Sequence, residues 1–421
     1  MEPLRILHTA DWHLGHSLHG ISREYEHRKF LAWLLDTLQQ QKADVLIVAG
    51  DIFDTANPPA YAQRLYYDFL SSLNQALPLL DVVIIGGNHD SAMRLDAPRD
   101  LLSSMNIHVV GGLPRDADGK PDLEKLLVPL KNASGETAGL CVAMPFLRQA
   151  DLPQVDPEQS DDASGDALID GVRQLYRDAV SLARSQMQEG MALVATGHCY
   201  MTGARISDLS ERKVLGGNQH ALPANIFSLL VDYAALGHMH LVQRVGKKDR
   251  IRYSGSPIPL SLAEKDYPHQ VLLVQVSAGS ARVSSIDVPQ TVGILQVPPE
   301  PEPLETVLQA LRRLPDAGHS TDMENWPLLE AQVKLNEPQA GLRESILEAL
   351  QGRKARLVKI TTVYPGSGDA LADAADIIEL ENLRPDDVFR RCYSSRYDSD
   401  PDDAMMAAFH ELLEQAGQGK H

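Results

Sequence analysis

At 421 residues the chain exceeds what one hydrophobic core usually supports, so two or three domains are expected. Its 43% hydrophobic and 23% charged content suits a soluble protein, no apolar run is long enough to span a membrane, and Met1–Leu14 lacks a secretory pattern. Three cysteines (Cys141, Cys199, Cys392) are too few for a disulfide framework or a thiolate metal site, and a net charge of −18 argues against general affinity for nucleic acid.

In chain order, the apolar runs Leu4–Leu7, Val45–Ala49, Val82–Ile85, Ala192–Ala195 and Tyr233–Leu236 predict strands. Between the first three, Glu24–Gln40 and Pro59–Ala76 carry apolar residues at three- and four-residue spacing, as amphipathic helices do. The alternation predicts an α/β domain whose inner strands are buried on both faces. Residues 150–170, with several Asp, Pro and Ser, read as a loose insertion before a helix at about Leu168–Gln188. Gly255–Pro259 and Tyr267–Val276 read as a turn and closing strand, with a boundary near 280–290.

A smaller unit follows: a strand at Thr291–Val297, a helix at Leu304–Leu314, a strand at Leu328–Leu335, a helix at Leu342–Leu350 and a strand at Arg356–Val363. The proline cluster Pro298–Pro303 is expected to punctuate this unit and start its first helix. Residues 366–382 read as a linker, and helices are expected at Pro385–Tyr393 and Asp402–Gln415. Acidity concentrates late in the chain. Residues 281–421 carry 14 Lys+Arg against 24 Asp+Glu, and residues 1–280 carry 25 against 33, so a polyanionic substrate of the first part is permitted.

Five short motifs close hydrophobic runs: Asp11-Trp12-His13, Gly50-Asp51-Ile52-Phe53-Asp54, Gly87-Asn88-His89-Asp90, Gly197-His198 and Gly237-His238-Met239-His240. The carboxyl ends of strands are where open α/β sheets place ligands. Asp11, His13, Asp51, Asn88, His198, His238 and His240 would supply seven oxygen and nitrogen donors, which suits two metal ions sharing the Asp51 carboxylate. Imidazole in the set favours Mn, Fe or Zn over Mg or Ca. His89 would stand beside the metals as the acid that protonates a leaving oxygen, with Asp90 orienting its ring. Asp54 reads equally as a helix N-cap, a carboxylate behind the ligands or a direct participant. The reaction expected is hydrolysis of a phosphate ester by metal-activated water. His8, His16 and His220 belong to no motif, Cys199 reads as an apolar filler, and no P-loop occurs.

Longer strings around these motifs carry a resemblance. Ile6–Gly15, Ser22-Arg23-Glu24, Val48–Thr55, Ala235–His240 and Tyr253–Ser261 resemble the bacterial SbcD nuclease subunits of the calcineurin-like metallophosphoesterase superfamily. The resemblance implies a metallophosphoesterase β-sandwich flanked by helices (1–285), a small α+β capping domain (286–366) and a linker with C-terminal helices that dock on an ATPase partner (367–421). It implies two divalent ions, preferably Mn2+, one on Asp11, His13, Asp51 and His240, the other on Asp51, Asn88, His198 and His238. The implied activity is double-strand DNA exonuclease and hairpin-opening endonuclease action in DNA repair, in a heterotetramer with the SbcC ATPase, cytoplasmic and nucleoid-associated. Archaeal and eukaryotic relatives often carry histidine at Asp54, so a DNA-orienting role is not carried over to it. Arg23, Arg28, Lys29, Arg94 and Arg99 are candidate DNA phosphate contacts or else an ordinary solvated helix face. Two rival readings share the motifs: a stand-alone phosphodiesterase or phosphatase, and a scaffold subunit with a vestigial metal site. The long extension past residue 285 argues against the first, and the complete donor set against the second.

Overall fold

The computed structural model describes residues 2–153, 167–202, 204, 221–246, 248–318, 323–336, 339–364 and 405–406. The first half runs β1 (Leu4–Thr9), a two-residue ladder β2 (Ser17–Leu18) and β3 (Ile21–Ser22), α1 (Glu24–Gln41), β4 (Val45–Ala49), α2 (Ala60–Ala76) and β5 (Asp81–Ile85). Short helices α3 (Ala92–Asp96) and α4 (Arg99–Ser103) lead to β6 (Ile107–Val110), β7 (Leu127–Lys131), β8 (Thr137–Val142) and α5 (Ala167–Gln186). Then come β9 (Ala192–His198), β10 (Tyr233–Gly237), β11 (Gln243–Val245), β12 (Lys248–Tyr253), β13 (Gln270–Ser277) and β14 (Ser280–Asp287). The last part holds β15 (Ile294–Pro303), α6 (Leu304–Arg312), β16 (Leu328–Lys334), α7 (Leu342–Ala349) and β17 (Arg356–Val363).

Two six-stranded sheets form, in the orders β14-β13-β1-β4-β5-β6 and β11-β12-β10-β9-β8-β7. Within the first, β1, β4, β5 and β6 are parallel; within the second, β8, β9, β10 and β12 are. The period-two alternation of a strand divides each inner strand between two cores. Leu4, Ile6, Val45, Ile47, Val83 and Ile85 face the second sheet, whereas Leu7, Leu46, Val48, Val82 and Ile84 pack under Phe30, Leu34 and Leu38 of α1 and Tyr66 and Phe69 of α2. Leu175, Tyr176 and Ala179 of α5 belong to the same core as β9 and β10. This is the helix-flanked β-sandwich expected of the class. Strand ends of both sheets, β1, β4 and β5 in one and β9 and β10 in the other, carry the five motifs.

The third sheet has the order β15-β16-β17. The proline cluster lies inside β15 instead of punctuating it, and this corrects the shorter strand expected at Thr291–Val297. An edge strand tolerates proline because its outer side needs no ladder donor. Helix α6 still begins directly after Pro303. Residues 154–166, His220, the linker, Cys392 and the helix expected at Pro385–Tyr393 lie outside the described residues; of the one expected at Asp402–Gln415 only Met405 and Met406 are described, and both are helical. No helix of the described residues is long and apolar enough to cross a membrane.

Two histidines are fully buried within this frame. The His8 ring meets the Tyr233 hydroxyl at 2.8 Å, and burial lowers its pKa to about 3. Burial, helped by the Arg23 charge, does the same to His27. Both folded values lie below the unfolded 6.5, so the unfolded chain takes up the protons. The stability these rings contribute is complete above about pH 6.5 and is lost as pH falls towards 3, at up to about 1.4 kcal/mol per pH unit for each. Urea unfolding at pH 7 and pH 5 should therefore show a steep loss that is shallower in His27→Leu.

Candidate metal centre

The loops that leave these strands turn at once, and they do so through left-handed backbone. Asp11 (φ 54°), His13 (47°), Asp51 (50°) and His238 (99°) all adopt it, at a cost of about 1–3 kcal/mol each that the surrounding packing must offset. Such clustering of strain is a mark of functional sites. Two glycines make the close approach possible. A Cβ on Gly50 (φ 91°) would sit 2.3 Å from His198 Nδ1, and one on Gly237 only 1.9 Å from the Ala49 carbonyl oxygen. The first two loops run side by side, with Asp11 N–H donating to Gly50 O at 3.0 Å and His13 N–H to Asp51 O at 3.0 Å.

All seven donor residues converge. The donor atoms of Asp11, His13 and His240 lie within 4.8 Å of one another, and so do those of Asp51, His198 and His238. Asn88 Oδ1 stands 3.0 Å from both His198 Nε2 and His238 Nδ1, which places it in the second group. Asp51 lies between the groups, its Oδ2 3.2 Å from His198 Nε2 and 3.6 Å from His13 Nε2. The groups open into a cleft of about 700 Å³ lined also by His89 and Asp54.

Three imidazoles are fixed through Nδ1, leaving Nε2 as the donor: His13 on Asp54 (3.3 Å), His198 on the Ala49 carbonyl (2.9 Å) and His240 on Glu264 (3.0 Å). Such outer partners orient metal-binding histidines. His13 Nε2 is buried without a hydrogen-bond partner, an arrangement that costs about 1–3 kcal/mol unless a cation meets it. Burial lowers the His13 and His238 pKa values, the latter to about 3, so both rings are neutral near pH 7. Burial pushes the Asp51 carboxyl up, but the neighbouring His198, through its charge and its hydrogen bond, more than reverses this and keeps it ionised. At His198 burial lowers the pKa, and the adjacent Asp51 carboxylate reverses that. A cation entering there displaces a proton. Burial raises the Asp11 pKa in turn, so a cation there would also favour the carboxylate. The neutral His13 and His238 rings, the ionised Asp51 and an unsatisfied nitrogen fit divalent metal.

The structure corrects three expectations. Asp90 does not orient the His89 ring: its carboxylate accepts from the N–H groups of Ile52 (3.1 Å), Phe53 (3.0 Å) and Gly87 (2.8 Å), so it shapes two of the loops instead. The His89 ring is held by the Asp54 carbonyl, 2.8 Å from Nδ1. A carbonyl can only accept, so Nδ1 carries the hydrogen and Nε2 is left for the cleft. Arg23 is fully buried and cannot reach a phosphate. Arg99 is bound to Asp96 (2.6 Å) and the Val109 carbonyl (3.1 Å), which ties it to α3 and to β6. Among the remaining basic candidates, Arg28 is exposed and paired with Glu324 at 3.0 Å, Lys29 lies over the Tyr25 ring, and Arg94 is exposed and bound to Asn57 at 2.8 Å. None of the five lines the cleft.

Asp54, left open between roles, accepts from His13 and from His16 (3.0 Å), and its carboxylate also lies close to the donors of His13 and His89 at the cleft. His8 is a core residue. The sequence reading missed Glu264 altogether. It sits fully buried in a short 3-10 turn, and no local pattern ties it to a histidine 24 residues before it. Glu264→Gln is expected to weaken divalent-metal binding about 10- to 100-fold, measured by titrating Mn2+ into chelator-stripped protein.

A domain model of calcineurin-like phosphoesterases matches residues 4–242, and one of the type 5 capsule protein repressor C-terminal domain matches residues 292–397. The chain belongs to the calcineurin-like phosphoesterase family, and it is a metal-dependent phosphodiester hydrolase. Its similarity runs to the SbcCD nuclease D subunits: 37% identity to that of Rhodobacter capsulatus over 93% of this chain and 94% of the relative. The D subunit of Escherichia coli K12 is 39% identical over 68% of this chain and 69% of that protein, and that of Bacillus subtilis 34% identical over 66% and 67%.

Proposed function

We propose that the chain is a DNA nuclease using two divalent ions, a double-strand exonuclease and hairpin-opening endonuclease that works with an SbcC-type ATPase in DNA repair and recombination. The observation that carries the reading is the pair of donor groups meeting at Asp51 beside the ring of His89. One ion would be held by Asp11, His13, Asp51 and His240, the other by Asp51, Asn88, His198 and His238. Four histidines in the set favour Mn2+ over Mg2+. When bound, such ions supply positive charge at the phosphate and lower the pKa of nearby water.

The protein's own part is positional. Asp51 holds the two groups together and receives the His89 N–H on Oδ1 at 2.8 Å, so the carboxylate and the acid share one register. His89, anchored through Nδ1, presents Nε2 to the cleft. When both ring nitrogens carry hydrogen, it would hand the Nε2 proton to the departing 3′ or 5′ oxygen and be left as the neutral Nδ1–H imidazole. Asp90 keeps the Gly50–Asp54 and Gly87–Asp90 turns in contact.

Substrate and partner follow from the likeness to SbcCD nuclease D subunits over nearly the whole chain. DNA ends and hairpins would enter the cleft, with Arg28, Lys29 and Arg94 as phosphate contacts at its surroundings. Residues 286–366 would cap the DNA, and residues 367–421 would dock on SbcC, two copies of each chain forming a heterotetramer at the nucleoid. The test offers linear duplex, hairpin and small phosphodiester substrates with Mn2+, with and without the ATPase subunit. Cleavage of the small ester alone would overturn the nuclease reading.

A further inference from the structure

Arg23 belongs to a string that resembles the SbcD subunits, yet it is buried and touches no substrate surface. Two of its guanidinium nitrogens pair with the Glu26 carboxylate, and Nη1 donates to the Pro259 carbonyl at 2.6 Å. A buried ion pair adds little net stability over a well-packed apolar pair. What this one supplies is a directional hold on a single loop, residues 257–264.

That loop is a wall of the cleft and the support of one metal group. Leu260 lines the cleft, its carbonyl lies 2.9 Å from His16 Nε2, and its N–H donates to Glu264 Oε2 at 2.8 Å. Glu264 Oε1 in turn meets His240 Nδ1. The main-chain N–H of Arg23 donates to the His16 carbonyl at 3.2 Å, and the His16 ring shares Asp54 Oδ1 with His13. Through the loop it holds, the Arg23 side chain therefore stands behind His240 by way of Glu264 and behind His13 by way of the Leu260 carbonyl and His16. The other group is fixed elsewhere, by Ala49 O and Asn88. Leu262 of the same loop packs with Leu18, Val292, Ile294 and Leu328, which ties the three-stranded sheet to this wall.

We propose that Arg23 is a positioning residue for the metal group of Asp11, His13 and His240, because its buried pair with Glu26 locks the loop that orients His240. The proposal rests on His13 and His240 being ligands. Its test compares Mn2+ titrations of chelator-stripped wild type, Arg23→Lys, and the double variant Arg23→Met/Glu26→Leu, which replaces the pair by apolar side chains of similar size. The wild type should bind in two steps. Both variants should weaken one step by about tenfold and leave the other unchanged. Combined with Glu264→Gln, the loss should be smaller than the product of the separate losses, since both act through one loop. Two steps like those of wild type, both steps weakened alike, or independent multiplying effects would each overturn the proposal. His240→Ala is the control: an unchanged isotherm there would remove the ligand reading itself, and the proposal with it.

Discussion

Asp51→Asn should leave a folded protein that has lost its activity together with one bound metal ion. The substitution keeps the shape and an oxygen to accept the His89 N–H, but it removes the charge shared by the two donor groups. Two cations held by these groups would then repel each other with no shared negative charge to offset it. Loss of the metal contribution to the transition state amounts to several kcal/mol, or on the order of a thousandfold or more in kcat/KM. Metal content by mass spectrometry and turnover on a phosphodiester check it. Full metal-dependent activity in Asp51→Asn would show that the reaction does not pass through this site.

His89→Asn should separate binding from chemistry. The ring lines the cleft outside the two groups that meet at Asp51, its own close donors being those of His13 and Asp54. Because the Asp54 carbonyl holds its Nδ1, metal content and KM are expected to stay near wild type. Turnover should fall by about 10²- to 10⁴-fold, the usual worth of a positioned general acid. The loss should depend on the leaving group. An alkoxide such as a deoxyribose oxygen needs a proton as it departs, whereas a nitrophenolate does not. A nitrophenyl phosphodiester should therefore be nearly spared in His89→Asn while a DNA substrate is not. Equal losses on both would assign the ring to positioning rather than proton transfer.

The five motifs were readable because their chemistry is local. Each donor follows an apolar run directly, and a strand end exposes whatever follows it, so residue type and place came from one stretch of chain. The same holds for α1, α2 and α5, whose ends fall within about two residues of those the apolar spacing predicts. Strands β6, β7, β8, β11, β12 and β14 were not anticipated. They lie at or near sheet edges, where β7 buries only every second residue and β14 is nowhere fully buried; burial on one side leaves only a weak apolar signal. The β15 prolines misled for a related reason, since proline breaks inner strands but not edges.

By itself, then, the sequence determined the reaction class and singled out seven residues and His89 that the fold brings together, since strand ends and residue types are properties of short segments. Only the tertiary structure decided what stands behind them. Asp90 turned from a ring partner into a brace for Ile52, Phe53 and Gly87, Arg23 from a surface contact into a buried anchor on Pro259, and Glu264 into the support of His240. Apart from Gly87, the partners in these pairs lie between 24 and 236 residues apart in the chain. Hydrogen bonds over such separations are selected by how whole sheets and loops pack, and no local pattern records that choice.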